Sequence, residues 1–246
     1  MSLADKVILI TGASKGIGAA IATRLAKDGA SVIINYSSNP APANALVKTL
    51  GEDHAIAVKA DVSTIAGIEE LIKCSIDRFG RIDAVIANAG VMPMRTVGNT
   101  TEEDFDKTFA LNVKGPYFLV QKAVPHMKPG SRVIFVSTGV VHQSNVMPPY
   151  LLYASTKGAI EQMTKFMSKD LGTKGINVNA IAPGPTGTDL FFEGKSEEML
   201  NMIKSQNPYN RLGSPEDIAN ATAFFCGSDS SWVNGQVLMA NGGMMA

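Results

Sequence analysis

The sequence predicts an α/β fold in which about seven parallel strands form one sheet with helices on both faces. Two observations support this prediction. Short runs rich in Val and Ile alternate along the chain with longer segments whose apolar residues recur at helical spacing. The strand-like runs are almost continuously apolar, which is typical of strands covered on both faces. Because parallel neighbours need a long crossover connection, this alternation indicates repeated βαβ units.

The predicted elements follow one another with no linker-like stretch between them. Strands are predicted over residues 6–11, 31–35, 54–59, 82–87, 132–137, 176–181 and 236–240. Helices are predicted over residues 17–27, 40–50, 64–79, 101–127, 153–171 and 215–225. Thr101 and Asp104 form a capping-box pattern where the fourth helix begins. We therefore expect the 246 residues to form a single domain, spanning 1–246.

Composition excludes several classes of protein. Hydrophobic residues make up 45% of the chain and charged residues 18%, which excludes an intrinsically disordered chain. Lys and Arg total 22, as do Asp and Glu, so no basic surface for nucleic acid is expected. The two cysteines and three histidines show no metal-ligand spacing, so we expect no metal site. The N-terminus has neither a signal-peptide nor a membrane-span pattern, so we expect no membrane association and a cytoplasmic location.

A glycine-rich loop follows the first predicted strand and opens the first predicted helix. It reads Thr-Gly-Ala-Ser-Lys-Gly-Ile-Gly over residues 11–18. Such glycines allow a tight turn and let backbone N–H groups approach a pyrophosphate closely, as in doubly wound, Rossmann-type domains. The alternative is that they are turn glycines without a ligand. Their spacing is G-x-x-x-G-x-G, formed by Gly12, Gly16 and Gly18.

With this spacing the chain resembles the short-chain dehydrogenase/reductase family, and the resemblance extends over nearly its whole length. Further motifs follow in the family's order and in register with the predicted strands. They are Asn88-Ala89-Gly90, Asn112, Tyr153 with Lys157, Pro183-Gly184 and Asn241-Gly242-Gly243. The resemblance implies an oxidoreductase that transfers hydride between a nicotinamide cofactor and a carbonyl or secondary alcohol. It also implies a homodimer or a homotetramer.

The end of the second strand determines which nicotinamide cofactor is expected. NAD-binding proteins of this fold usually carry an acid there, but this chain reads Asn35-Tyr36-Ser37-Ser38. A 2′-phosphate could accept hydrogen bonds from Asn35, Ser37 and Ser38, and Lys15 could add a positive charge. We therefore expect NADP(H), with NAD(H) as the alternative.

Tyr153 and Lys157 are four residues apart on a predicted helix and therefore share one face. The resemblance implies that Tyr153 exchanges a proton with the substrate oxygen and that Lys157 lowers the pKa of Tyr153 and holds the nicotinamide ribose. It also implies that Asn112 holds a water. A hydroxyl after the fifth strand would orient the carbonyl group: strand register favours Thr138, whereas residue type favours Ser137.

The glycine loop and the resemblance together give one set of expected cofactor contacts. They are Gly12, Ser14, Lys15, Gly16, Ile17, Gly18, Asn35, Tyr36, Ser37, Asp61, Val62, Asn88, Ala89, Gly90, Tyr153, Lys157, Pro183, Gly184, Thr186 and Thr188. Asp61 has an alternative role, as a cap for the helix that follows it.

Residues at roughly 185–210 resemble a lid over the nicotinamide. Their apolar side chains either line a site for a bulky apolar substrate or pack as in an ordinary helix. The substrate stays open among acyl-thioester ketones, sugars, steroids and polyketide quinones. Two other functions also stay open: a non-catalytic dinucleotide sensor or scaffold, and a different enzyme of similar fold, such as a methyltransferase.

Overall fold

The computed structural model describes residues 2–245, and a seven-stranded parallel sheet runs through this part of the chain. Its strands are β1 (Val7–Ile10), β2 (Ser31–Tyr36), β3 (Ala55–Lys59), β4 (Ala84–Ala87), β5 (Arg132–Val136), β6 (Asn177–Pro183) and β7 (Val237–Ala240). The strand order is β3-β2-β1-β4-β5-β6-β7, so the winding direction reverses between β1 and β4. The predicted doubly wound α/β fold is confirmed.

Helices cover both faces of the sheet. They are α1 (Gly16–Lys27), α2 (Pro40–Leu50), α3 (Ile65–Phe79), α4 (Glu102–Phe109), α5 (Gly115–Ala123), α6 (Leu151–Gly172), α7 (Asp189–Phe192), α8 (Glu197–Ser205) and α9 (Pro215–Cys226). Ile8 and Ile10 of β1 pack on the face with α1, α2 and α9, whereas Val7 and Leu9 pack on the face with α3, α5 and α6. Because side chains alternate along a strand, burial of both faces explains the continuous apolar runs.

The predicted helix over 101–127 is interrupted, which corrects the expectation of one continuous helix. After α4, a π-helical segment over Ala110–Lys114 precedes α5, and a 3₁₀ turn over Val124–His126 follows it. A π segment adds one residue to a single turn and changes the apolar periodicity very little, so the pattern did not indicate it. Such segments are frequent at functional sites. This one contains Asn112.

The segment between β6 and α9 contains two helices that the sequence pattern did not predict. Thr188 caps α7 by accepting a hydrogen bond from the backbone N–H of Phe191, and Ser196 caps α8 in the same way. Both helices are short and lie within the segment expected to form a lid. Across residues 2–245, no helix combines the length and the apolar character needed to span a bilayer.

Candidate active site

A cavity of about 840 Å³ lies at the carboxyl end of the sheet, where the loops after β1 to β6 converge. Sheets of this topology bind ligands at this edge, beside the point where the strand order reverses. The expected catalytic and cofactor-binding residues line the cavity, apart from Gly18 and Asn112, which contact residues of its wall. The structure thus brings together residues that are spread over 12–188 of the sequence.

The glycine loop has no space for side chains at the base of the cavity. A Cβ atom on Gly12 would lie 2.9 Å from Cα of Ala89, and one on Gly18 would lie 2.5 Å from the carbonyl oxygen of Gly12. Gly12 and Gly16 also have φ values of +61° and +57°, which residues with a side chain rarely adopt. The loop therefore presents bare backbone to whatever the cavity binds.

Helix α1 begins at this loop with open backbone N–H groups. Lys15 occupies its N-cap position, and within residues 2–245 no side chain caps the helix there. Its first turn has no acidic residue, whereas α4 and α9 begin with capping boxes. Uncapped N–H groups and the positive end of the helix dipole attract an anion. The residues present thus fit the pyrophosphate of a dinucleotide.

Asn35, at the end of β2, holds the loop in place. Its side-chain nitrogen donates to the carbonyl oxygens of Ala60 at 3.0 Å and Val58 at 3.3 Å, and its Oδ1 accepts from the backbone N–H of Gly12 at 3.2 Å. Asn35 is only 2% exposed. The amide is thus already hydrogen-bonded to backbone groups on both its oxygen and its nitrogen, and its expected bond to a 2′-phosphate stays a prediction.

Two other expected contacts also support the cavity floor. The side-chain amide of Asn88 donates to the carbonyl oxygen of Gly12 at 3.1 Å, which ties the end of β4 to the glycine loop. Oδ1 of Asp61 accepts from the backbone N–H and the hydroxyl of Ser63 at 2.9 and 2.7 Å, which stabilises the turn after β3. The N-cap residue of α3 is Thr64, so the alternative that Asp61 caps this helix is wrong.

Tyr153 lies in the first turn of α6 and lines the cavity. Thr138, which follows β5, lines the same cavity, and its side chain lies close enough to the Tyr153 hydroxyl to affect its pKa. Burial raises the pKa of Tyr153 to about 12; the Thr138 side chain opposes this shift, and Tyr150 adds to it. Tyr153 is therefore protonated at neutral pH. Burial therefore dominates the pKa of Tyr153 in the protein alone, and the expected lowering of this pKa by Lys157 stays a prediction.

Lys157 lies one helical turn after Tyr153, and its Nζ is 5.7 Å from the centre of the tyrosine ring. The side chain is buried, and Nζ donates to the carbonyl oxygen of Val136 at 2.7 Å. Burial lowers the pKa of Lys157 to about 8, so the ammonium form still prevails at neutral pH. A Cβ atom on Gly90 would lie 3.7 Å from this Nζ and 3.2 Å from Oδ1 of Asn112, so Gly90 leaves room between these two polar groups.

Asn112 joins the loop after β4 to α6 through the π-helical segment. Its Oδ1 accepts from the backbone N–H of Val91 at 2.9 Å. Its Nδ2 donates to the carbonyl oxygen of Val91 at 2.9 Å and to Oγ1 of Thr156 at 3.1 Å. The side chain thus fixes the wall beside Lys157, and its expected role in holding a water stays a prediction.

The two hydroxyls after β5 have different partners. Oγ1 of Thr138 accepts from the backbone N–H of Val140 at 3.4 Å, whereas Oγ of Ser137 donates to Oε1 of Glu161 at 2.7 Å. The same Oε1 lies 2.9 Å from Nε2 of His142. Sequence reasoning did not include Glu161 in the site. The available signal was its spacing, since it is four residues after Lys157 on the same helix face.

The other end of the cavity is lined by large apolar side chains and a few amides. They include Met92, Gln143, Met147, Tyr150, Leu190, Phe191, Met202, Ile203, Gln206, Met244 and Met245. Met245 packs directly on Gly139, where a Cβ atom would meet its sulfur. Sequence reasoning did not include Met244 and Met245 in the site, although both line the cavity.

Comparison with known proteins agrees with this geometry. A family model described as enoyl-(acyl carrier protein) reductase matches residues 12–245. A short chain dehydrogenase/reductase of Cryptosporiopsis sp. is 39% identical over 255 residues, with 98% of this chain and 96% of the relative covered. The chain belongs to the short-chain dehydrogenase/reductase family. The family predicted from the sequence motifs is thereby confirmed.

One further relative and two solved structures extend the comparison. A hydroxynaphthalene reductase-like protein of Metarhizium guizhouense is 38% identical over 256 residues, with 98% of this chain and 96% of that protein covered. A short chain dehydrogenase of Burkholderia cenocepacia, solved in complex with NADP, matches with a TM-score of 0.94 at 32% identity over 100% of both chains. A blue fluorescent protein from a metagenomic library, solved with NADPH, has the same TM-score, identity and coverage. The chain thus has the dinucleotide-binding fold of a family of oxidoreductases.

Proposed function

We propose that this protein is an NADP(H)-dependent oxidoreductase that transfers hydride between the nicotinamide and a carbonyl or secondary alcohol. One observation carries the proposal: Tyr153, Thr138 and the buried Lys157 line one cavity together with the glycine loop, and Nζ of Lys157 lies 5.7 Å from the centre of the Tyr153 ring. A proton donor, a hydroxyl that can orient an oxygen and a cation are thus grouped at one point. The bound cofactor would supply or accept the hydride.

The roles follow from the chemistry of these groups. Tyr153 donates its proton to the substrate oxygen during reduction, and a pKa of about 12 keeps that proton available at neutral pH. Thr138 orients the same oxygen by hydrogen bonding. Ser137 is the weaker choice, because its hydroxyl already donates to Glu161. The ammonium of Lys157 stabilises the negative charge that forms on the tyrosine.

Preference for NADP(H) over NAD(H) rests on the rim of the cavity at the end of β2. Ser37 and Ser38 are exposed there and line the cavity together with the exposed Lys15. This rim has hydroxyl donors and a cation for a 2′-phosphate, and the strand end lacks the acid that would bind a ribose 2′-OH. Two structurally similar proteins bound NADP or NADPH in their crystals, which supports the same preference here.

We propose a bulky, largely apolar carbonyl compound as the substrate. The cavity end beside Tyr153 carries methionine, leucine and phenylalanine side chains, and methionines adapt to irregular shapes. The similarity to a hydroxynaphthalene reductase-like protein supports a polycyclic ketone or quinone. Residues 185–210 act as the lid within a single domain, and the protein works as a homodimer or homotetramer.

The test is turnover of NADPH and of NADH across a panel of ketones and quinones, with Tyr153→Phe as the variant. We expect Tyr153→Phe to lower kcat by about 1,000-fold, because proton transfer contributes about 10²–10⁴-fold and the hydroxyl also contacts the oxygen. NADPH binding, followed by fluorescence titration, should stay within about twofold. Tyr117→Phe is the control, because Tyr117 is exposed and does not belong to the cavity lining.

Each outcome separates the candidate functions. Full activity of Tyr153→Phe contradicts the assigned role of the tyrosine. Tight NADPH binding without turnover on any compound supports the non-catalytic sensor instead. Equal turnover with NADH contradicts the proposed cofactor preference, and absence of dinucleotide binding contradicts the whole proposal.

A further inference from the structure

A buried carboxylate on α6 has no part in the proposed reaction. Glu161 follows Lys157 by one helical turn, and only 9% of its side chain is exposed. Its Oε1 accepts a hydrogen bond from Ser137 and contacts the ring nitrogen of His142, at 2.7 and 2.9 Å. A buried carboxylate needs such bonds, so its position depends on both partners.

These two contacts hold both ends of one short segment. Ser137 directly follows β5, and His142 closes a 3₁₀ turn over Gly139–His142. Thr138 lies between them and lines the cavity together with Tyr153, whose pKa its side chain affects. Because Glu161 and Tyr153 belong to the same helix, one carboxylate oxygen fixes the segment 137–142 relative to the tyrosine.

The two contacts differ in their surroundings. Ser137 is 2% exposed, so without Glu161 its hydroxyl would lose the partner that compensates for burial. The His142 side chain is 38% exposed and lines a second cavity of about 500 Å³, so water can replace a partner there. Lys157 is held separately, through the carbonyl oxygen of Val136. Loss of Glu161 should therefore displace Thr138 and leave the lysine in place.

We propose that Glu161 is a positioning residue, which keeps segment 137–142 placed so that Thr138 and Tyr153 approach the substrate oxygen together. This inference rests on the proposed function, since it takes Thr138 as the group that orients that oxygen. Glu161 itself does not touch the reacting atoms. Its contribution is carried by the position of the Thr138 hydroxyl.

The first test compares Glu161→Ala with Glu161→Gln, using the panel compound that the wild-type protein turns over fastest with NADPH. We expect Glu161→Ala to lower kcat by about 10–100-fold, because displacement of a positioning group by about 1 Å can cost that much. Glu161→Gln retains an acceptor oxygen for Ser137 and should recover most of the activity. The Kd for NADPH should stay within about twofold in both variants. Glu52→Ala, on an exposed loop, is the control.

The second test is a double-mutant cycle with Thr138→Ala. If Glu161 acts through Thr138, Glu161→Ala should lower kcat by less than about twofold in the Thr138→Ala background. Equal effects of Glu161→Ala in both backgrounds overturn the inference, as does a loss of NADPH binding that parallels the loss of kcat. Full activity of Thr138→Ala contradicts the proposed role of Thr138 itself and removes the basis of the inference.

A variant that folds poorly does not end the test. Ser137→Ala removes the buried hydroxyl that bonds to Glu161, and Glu161 keeps its contact with His142. This variant is also combined with Thr138→Ala in a double-mutant cycle. We expect it to lower kcat by about 3–10-fold in the wild-type background and by less than about twofold in the Thr138→Ala background. Wild-type kcat in Ser137→Ala overturns the inference.

Discussion

The glycine-loop end of the cavity (Gly12, Gly18, Asn35, Asn88) is built from backbone and from amides bonded to it, whereas the methionine end (Met147, Leu190, Met202, Met245) is built from large apolar side chains. At the glycine-loop end, Cβ atoms on Gly12 or Gly18 would come within 3.0 Å of neighbouring atoms. At the methionine end, Met147, Leu190 and Met202 are each more than two-fifths exposed.

This difference separates what the two ends can change. Backbone N–H groups recognise the parts that all dinucleotides share, and their geometry tolerates no added atoms. Exposed side chains at the methionine end contribute little to the free energy of folding. These residues can therefore be substituted to suit a different substrate without destabilising the protein. Substitutions should therefore affect folding and dinucleotide binding at one end, and substrate preference at the other.

The largest effect is expected for Gly18→Ala. The new Cβ would lie 2.5 Å from the carbonyl oxygen of Gly12 and 2.7 Å from Nδ2 of Asn88. The loop must shift to relieve this overlap, so we expect dinucleotide affinity to fall by about 1,000-fold or more, which is about 4 kcal/mol. The free energy of unfolding should fall by about 1–3 kcal/mol. Titration with NADPH and urea denaturation measure the two effects.

Gly158→Ala is the matched control. Gly158 lies within α6, and a Cβ atom there would meet nothing within 4 Å. Alanine is the better helix former by roughly 1 kcal/mol, so this variant should be slightly more stable and bind NADPH normally. Normal dinucleotide binding by Gly18→Ala would contradict the view that bare backbone forms that end of the cavity.

The second-largest effect is expected for Lys157 and concerns the pH dependence of the free energy of unfolding. Its pKa in the folded protein is about 8, compared with 10.5 for an exposed lysine. Between these values the unfolded chain binds more protons than the folded one, so the contribution of Lys157 to stability rises with pH. We expect the free energy of unfolding of wild type, relative to Lys157→Met, to rise by about 3 kcal/mol from pH 8 to 10.5.

Chemical denaturation at several pH values measures this difference, in which groups common to both proteins cancel. Lys165→Met is the control, because Lys165 is exposed on the same helix. We expect its difference from wild type to stay flat over the same range. A flat difference for Lys157→Met as well would show that the ammonium is not desolvated and that the site does not hold a buried charge.

The sequence predicted the glycine-loop end better than the methionine end, for a physical reason. Alternating strands and helices and the glycine spacing are local patterns, so they placed the sheet, the loop and the Tyr153–Lys157 face correctly. The role of Asn35 depends on partners 23 and 25 residues away, Val58 and Ala60, which only the folded sheet brings near. Its residue type alone suggested a phosphate ligand.

Non-local contacts also explain the other differences. The π-helical segment contains Asn112, which is hydrogen-bonded to the loop after β4, and the apolar periodicity of 101–127 does not indicate these bonds. In the sequence, Glu161 is one of several polar residues on α6. Only the fold shows that Ser137, which follows β5, is hydrogen-bonded to it. The methionine end draws on three loops and on the last residues that the structure describes. The apolar character of these loops is visible in the sequence, but the sequence does not show that they line the same cavity.

The smallest effect is expected at the methionine end, for Leu190→Ala. Leu190 lines the cavity and is 43% exposed, so its loss should change the free energy of unfolding by less than about 0.5 kcal/mol. We expect the KM for a bulky apolar ketone or quinone to rise by about 3–10-fold, since a few methylene groups in an apolar pocket contribute on this scale. The Kd for NADPH should stay unchanged.

Val97→Ala is the control for this last variant. Val97 is 83% exposed and does not belong to the cavity lining, so its KM should match that of wild type. A smaller ketone that cannot reach Leu190 should show no rise in KM with Leu190→Ala either. If Leu190→Ala weakens NADPH binding as strongly as it raises KM, the two ends of the cavity are not independent. Substrate preference could then not change without a change in dinucleotide binding.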